Sequence, residues 1–197
     1  MNPAFSVILF TTLSGAGYGL LAWLGVMIAA SGSNLFLQRD AEFSVWLTTA
    51  LFPLFIAMLV IGMVFTAAGL VSSTFHLGKP MRAWRAFSQW RTSWLSREGV
   101  LALLTYVPAV ILIASLLAAI HGDADVAGMG LIAPCLGAAL AVLSLATVAC
   151  TAMIYASLKP VPAWRHRLVV PIYLVFALLS GFFLFSAVQM QVRSDPL

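Results

Sequence analysis

Charge is scarce in this sequence of 197 residues: Asp, Glu, Lys and Arg make up 8% of it, where a soluble domain carries about 25%. Apolar residues make up 62%, and the mean hydropathy is +1.05. A water-soluble globule has nowhere to hide that much apolar surface, so a soluble enzyme is excluded. Disorder is excluded too, because it needs low hydrophobicity and high charge. Cysteine is nearly absent. Cys135 and Cys150 both lie in apolar sequence and read as small buried hydrophobes. They supply no disulfide framework, no CxxC pair and no iron–sulfur ligand set. Alternating apolar and polar runs are missing, which argues against membrane strands. Internal repeats and low-complexity segments are missing as well. The glycines Gly15, Gly17 and Gly19 fall inside an apolar run rather than after a strand, so a nucleotide-binding reading fails. They read instead as small faces for close helix packing.

What is present is a series of charge-free stretches, within 1–38, 43–81, 99–122, 126–158 and 168–192. Each can hold the roughly 20 apolar residues that cross a bilayer core. The sequence therefore predicts an all-α, polytopic transmembrane bundle, a single integral membrane domain over residues 1–197. Its five helices fall near 5–30, 46–75, 98–120, 129–157 and 168–191. The first has no basic start and is too long for the apolar core of a signal peptide, so it reads as a span.

The loops differ sharply in charge. Lys79, Arg82, Arg85, Arg91 and Arg97 lie in loop 76–97, and Lys159, Arg165 and Arg167 in loop 158–167. The other side holds only Arg39 and Arg193 among the bases, with Asp40, Glu42, Asp123, Asp125 and Asp195. An excess of Lys and Arg marks cytoplasmic loops. The expectation is a multi-pass protein of a bacterial inner membrane with the N-terminus and loop 76–97 in the cytoplasm. The net charge of +4 is thus a topology signal and points to no nucleic acid. Trp84, Trp90, Trp94 and Trp164 fall in the same two loops and suit an interfacial aromatic belt. As a helix, 82–91 sets Arg82, Arg85 and Gln89 against Ala83, Trp84, Phe87 and Trp90, which suits a segment lying in the membrane surface, although Arg91 interrupts its apolar face.

The ionisable groups collect at this interface, and none falls near the middle of a span, where ion-coupled transporters usually keep one. Glu98 is the only acid on the cytoplasmic side. His76 closes the second predicted helix, and antiparallel helices would bring the two to one interface. Both have ordinary structural readings, His76 as a dipole partner in a last turn and Glu98 as a first-turn acid near a cap at Ser96. The chemical reading is a proton-handling pair beside a lipid-soluble redox substrate. Quinol oxidation releases two electrons and two protons, which an imidazole and a carboxylate can exchange with water, while nearby Arg and Lys stabilise an anionic intermediate. His121, beside Gly122 and Asp123, reads as a C-terminal dipole partner. Tyr106, about two turns after Glu98, reads as core, with a quinone contact as the second reading.

The stretch His76–Gly99, HLGKPMRAWRAFSQWRTSWLSREG, closely resembles the signature of the membrane anchor subunit of dimethyl sulfoxide reductase and its relatives, the anchors of molybdenum-containing sulfite dehydrogenases and polysulfide reductases. The apolar helix straight after Met1-Asn2-Pro3-Ala4 is similar too. The resemblance implies an anchor subunit that carries no haem or metal of its own. It implies two partners, a molybdopterin catalytic subunit and an iron–sulfur subunit, and electrons exchanged with the quinone pool. It implies quinone proton exchange at His76 and Glu98, with Lys79, Arg82 and Arg97 around the quinone. Partner docking would fall to Arg82, Arg85, Arg91, Trp84 and Trp90. Such anchors generally have eight helices, and five are read here. The positive-inside signal on the motif loop is similar to that of cytoplasm-facing sulfite dehydrogenase anchors, which makes sulfite oxidation to quinone the preferred activity, with quinol-driven reduction of dimethyl sulfoxide or a similar acceptor the other. A haem b carrier is the alternative, but His76, His121 and His166 offer poor axial geometry. A purely structural anchor or a small transporter is the third reading.

Overall fold

The structure, a computed structural model, describes residues 5–37, 41–74, 84, 87–122, 126–158, 160–161 and 164–194. Helix α1 (Phe5–Leu37) is followed by a short α2 (Ala41–Trp46), which runs through a π-helical turn at Leu47–Leu51 into α3 (Phe52–Thr74). Then come α4 (Trp94–His121), α5 (Val126–Ala156) and α6 (Val169–Ser194). There is no strand among the described residues. Among the described residues five segments are long and apolar enough to cross a membrane: Val7–Ser31, Leu47–Ser73, Trp94–His121, Ile132–Ala156 and Val169–Gln191. This is the expected multi-pass bundle. Hydrocarbon offers backbone N–H and C=O groups no water, and a helix satisfies them within its own segment.

The helix ends follow local chemistry. Ser93, extended at φ −110 and ψ 127, caps α4 and accepts the N–H of Ser96 at 3.5 Å. The cap is therefore Ser93 rather than Ser96, and α4 begins at Trp94, earlier than the sequence suggested. Gly122 ends α4 in the left-handed region at φ 78, where a side chain would be strained. His121 fills its expected place, with Nδ1 2.8 Å from the Leu117 carbonyl. The π turn has its cause in Pro53. Pro53 lacks the N–H that an α-helix needs there and its ring crowds the preceding turn, so the chain widens and the Phe52 N–H reaches back to Leu47 O.

Helix α1 is the axis of the bundle, packing against α3, α5 and α6, while α4 packs mainly on α5. Three faces of α1 approach three neighbours through glycine. A Cβ on Gly17 would lie 2.8 Å from Gly62 O of α3, and one on Gly25 would lie 2.6 Å from Gly137 O of α5. A Cβ on Gly19 would run into the Ala177 carbonyl of α6, and one on Gly181 into the backbone of Gly19. Such small-residue contacts let membrane helices gain dispersion energy that lipid tails alone do not supply. Trp23 adds a hydrogen bond between helices, Nε1 to Leu178 O at 3.0 Å, and its ring meets Phe182 at 5.9 Å. Tyr18, Leu20, Leu21, Leu24 and Ile28 are fully enclosed. Helix α6 is the least covered, with Phe176, Leu179 and Phe183 on its open face.

Gly15 behaves differently: a Cβ there meets nothing within 4 Å. Substituting Gly19→Ala should lower stability by at least the about 1–3 kcal/mol typical of overpacking, whereas Gly15→Ala should leave it unchanged or slightly raised. Thermal unfolding of the detergent-solubilised protein measures both, and equal behaviour of the two variants would contradict the packing described.

Candidate functional site

Glu98 lies one turn beyond the Ser93 cap, past the first turn of α4. It is therefore not the surface acid that a helix start usually recruits. Its side chain is turned into the bundle and is only 4% exposed. Its hydrogen-bond partner among the described residues is Thr151 of α5, whose Oγ1–H donates to Oε1 at 2.5 Å. The same hydroxyl lies 3.1 Å from Thr147 O, one turn back along α5. A hydroxyl carries one proton and two acceptor lone pairs, so Thr151 can still accept a hydrogen bond from another group. A carboxyl this deep in an apolar bundle is costly to keep charged unless paired, and ionisable residues inside a membrane commonly mark function.

Thr151 also lines a cleft of about 320 Å3 between α1, α5 and α6. Helix α1 contributes Thr11, Thr12, Ser14, Gly15 and Tyr18, and α5 contributes Val148 beside Thr151. The α6 wall is Ile172, Tyr173, Phe176, Ala177 and Ser180. Thr12 and Ser180 donate to carbonyls of their own helices, to Ile8 O at 2.8 Å and Phe176 O at 2.7 Å, so their oxygens remain acceptors. Tyr18 is 2% exposed, and its hydroxyl, shut off from solvent, has no hydrogen-bond partner among the described residues. Tyr18 and Tyr173 both lie within electrostatic reach of Glu98. Tyr173 stacks on Tyr155 with centroids 5.6 Å apart, and Tyr155 meets Trp164 edge-on at 5.3 Å. The cleft therefore combines aromatic walls with hydroxyl groups and has a buried carboxyl behind one of them.

The other residues expected in the site divide into three groups. His76, Lys79, Arg82 and Arg85 lie outside the described residues. Arg97 faces the loop and not the bundle, with Nε donating to Trp90 O at 3.1 Å and Nη2 to Arg91 O at 2.7 Å. Its guanidinium sits 4.3 Å from the Trp94 ring centroid, and Arg91 lies over Trp90 at 5.5 Å. Trp84 and Trp90 are exposed. Residues 87–89 form a 3-10 turn in the segment expected to lie along the surface, and Phe87 packs against Gly99. Tyr106 bonds across to α3, with its hydroxyl 2.7 Å from Thr66 Oγ1 and 3.0 Å from Met63 O. Cys150 is buried as expected, but Cys135 is exposed on α5, because its helix face has no neighbour there.

Sequence reasoning missed Thr151, Tyr18 and the cleft. A signal for the first existed: Ser144, Thr147 and Thr151 recur at helical spacing along one face of an otherwise apolar helix, and all three are buried.

Comparison with known proteins adds a family. The family described as DMSO reductase anchor subunit (DmsC) matches residues 1–196. A sulfite dehydrogenase subunit of Allochromatium vinosum is 38% identical over 199 residues, an alignment that takes in 95% of this chain and 55% of that protein. The chain thus spans about half the length of the curated relative it matches. No solved structure matches.

The Arg97 clamp gives a direct prediction. Arg97→Ala removes the two bonds that hold residues 90 and 91 to α4, each worth about 1 kcal/mol at an exposed site. Limited proteolysis of membrane vesicles should then cut the 84–93 segment at least about fivefold faster, a factor that corresponds to about 1 kcal/mol, with membrane insertion unchanged. Cleavage at the wild-type rate would show that the clamp does not order the loop.

Proposed function

Because the chain belongs to the DMSO reductase anchor subunit family, we propose that it is the membrane anchor and quinone-reactive subunit of a molybdopterin and iron–sulfur oxidoreductase. In this reading electrons pass between the iron–sulfur subunit and the quinone pool, and the molybdenum chemistry takes place in another chain. Oxidation of sulfite with quinone as acceptor is the preferred direction, favoured by the likeness to a protein named as part of a sulfite dehydrogenase and by the basic loops. Quinol-driven reduction of dimethyl sulfoxide or a similar acceptor is the alternative direction.

One observation carries the reading: Glu98 is a carboxyl enclosed within the helix bundle, and among the described residues it is held by a hydroxyl and by no counter-charge. A structural anchor gains nothing from a group so costly to bury, whereas quinone chemistry requires a proton donor and acceptor at such a place. His76 is proposed as its partner in proton exchange, with Lys79, Arg82 and Tyr106 as further quinone contacts. Arg82, Arg85, Arg91, Trp84 and Trp90 are proposed as the docking surface of the soluble partner. Arg97 supports that surface from beneath, by tying the loop to α4.

Glu98 is tested in membranes holding the assembled complex. A fluorescent quinol analogue should bind saturably to the wild type. Glu98→Gln, at equal complex abundance, should lower quinone-linked turnover by at least about a hundredfold, the lower bound for losing a general acid or base. The activity of the molybdenum subunit with a soluble dye should stay intact. Undiminished quinone-linked turnover would remove Glu98 from the chemistry. The proposed sidedness is checked separately. A cysteine introduced at Arg91 should react with an impermeant maleimide in inside-out vesicles and resist it in intact spheroplasts, and the opposite pattern would invert the orientation.

A further inference from the structure

The sequence points to the junction of the second and third spans as the place for quinone. The described residues add a place for the headgroup beside Glu98. The carboxyl of Glu98 is bonded to α5, and the hydroxyl that holds it lines the cleft between α1, α5 and α6. We propose that a para-quinone headgroup seats in this α1–α5–α6 cleft, and that Thr151 touches its reacting oxygen and passes the proton between that oxygen and Glu98. This rests on the quinone-reactive reading above and names the substrate's place within it.

Three features support the assignment. The first is chemical. Thr151 has one proton, directed at Glu98, and acceptor capacity left over. With quinol in the cleft, a quinol O–H donates to Thr151 Oγ1 while Thr151 donates to the Glu98 carboxylate. With quinone in the cleft, the same chain runs in reverse: the protonated Glu98 donates to Thr151, and Thr151 donates to the quinone carbonyl. The second is the hydroxyl lining of the cleft, where Thr12 and Ser180 donate to carbonyls of their own helices and keep their oxygens as acceptors. Such oxygens can accept a quinol O–H. The third is shape. The cleft of about 320 Å3 falls in the range of small-molecule sites, and its Tyr and Phe walls suit a flat ring. The open face of α6 beside it, with Phe176 and Leu179, gives an isoprenoid tail a path into lipid.

The step balances. Quinone takes two electrons from the iron–sulfur subunit and two protons to become quinol. At the oxygen beside Thr151 a new O–H bond forms as the Thr151 O–H breaks. Thr151 regains its proton from the Glu98 carboxylic acid, and the resulting carboxylate is reprotonated from the aqueous side. The proton of the other oxygen is taken from water.

The test uses membranes holding the assembled complex, the fluorescent quinol analogue for binding and decylubiquinone for turnover. Gly15→Leu places a side chain in the cleft without meeting any existing atom near its Cβ. It should weaken analogue binding more than tenfold at normal complex abundance. Thr151→Val keeps the shape and removes the hydroxyl. It should lower quinone-linked kcat at least tenfold, with dye-linked activity intact, and Thr151→Ser should restore kcat to within about threefold of wild type. Ser144→Ala removes a buried hydroxyl that has no hydrogen-bond partner among the described residues and lies outside the cleft, and should change nothing. Wild-type binding by Gly15→Leu would overturn the placement. Failure of Thr151→Ser to rescue would overturn the relay. If Glu98→Gln loses turnover while Gly15→Leu keeps both binding and turnover, the quinone reading stands and the cleft is the wrong place. If the wild type binds no analogue saturably, the quinone reading falls and this placement falls with it.

Discussion

The close approach of α1 to three neighbours at once is the constraint on which the bundle depends. A helix that touches α3, α5 and α6 within three turns has to present a bare backbone on three sides, and Gly17, Gly19 and Gly25 do so. The same geometry creates the cleft. At Gly19 the backbones of α1 and α6 are in contact. One turn nearer the start of α1, at Gly15, nothing stands within 4 Å of the missing side chain. Two helices that cross at one point diverge beyond it, and the space opened by that divergence is the candidate site. Packing and function are therefore set by one crossing point, with glycine serving contact on one turn and leaving room on the next.

The electrostatics follow from the same scarcity of charge. With charged residues at 8% of the chain, a single enclosed carboxyl stands out chemically. Among the described residues Glu98 is stabilised by a neutral hydroxyl and by no fixed cation. A salt bridge would hold it charged, whereas a threonine lets it exist in either form. Arg97, the described cation next to Glu98 in sequence, is used differently. It directs its donors to backbone carbonyls of residues 90 and 91, which ties the loop to α4.

Much of this was legible in the sequence. The five spans followed from charge-free runs, because lipid leaves the backbone no alternative to helices. Glu98 stood out because a lone acid amid bases at a helix start is conspicuous. Its burial was not legible, since the cap could equally have been Ser96, and only the choice of Ser93 rotates Glu98 past the first turn. Thr151 was hidden for a different reason. Threonines in apolar helices ordinarily return their proton to a carbonyl four residues back, as Thr105 and Thr147 do here, and nothing local distinguishes the one that also reaches a carboxyl 53 positions away. Tyr18 looked like any core aromatic. The π turn before Pro53 was not legible, because one proline in an apolar run does not say whether the helix kinks, breaks or widens; the helix also runs back to Ala41, where the sequence started the span at 46.

The pairing of Glu98 with Thr151 also bears on biogenesis. Helix α4 leaves the insertion machinery before α5, so for a time the carboxyl faces lipid or the translocation channel without its hydroxyl. Membrane insertion tolerates an acid near a helix end at modest cost, and the half-made bundle persists only until α5 docks. A bundle in which α5 has not docked therefore leaves this carboxyl without its hydroxyl, so the docking of α5 also shelters α4.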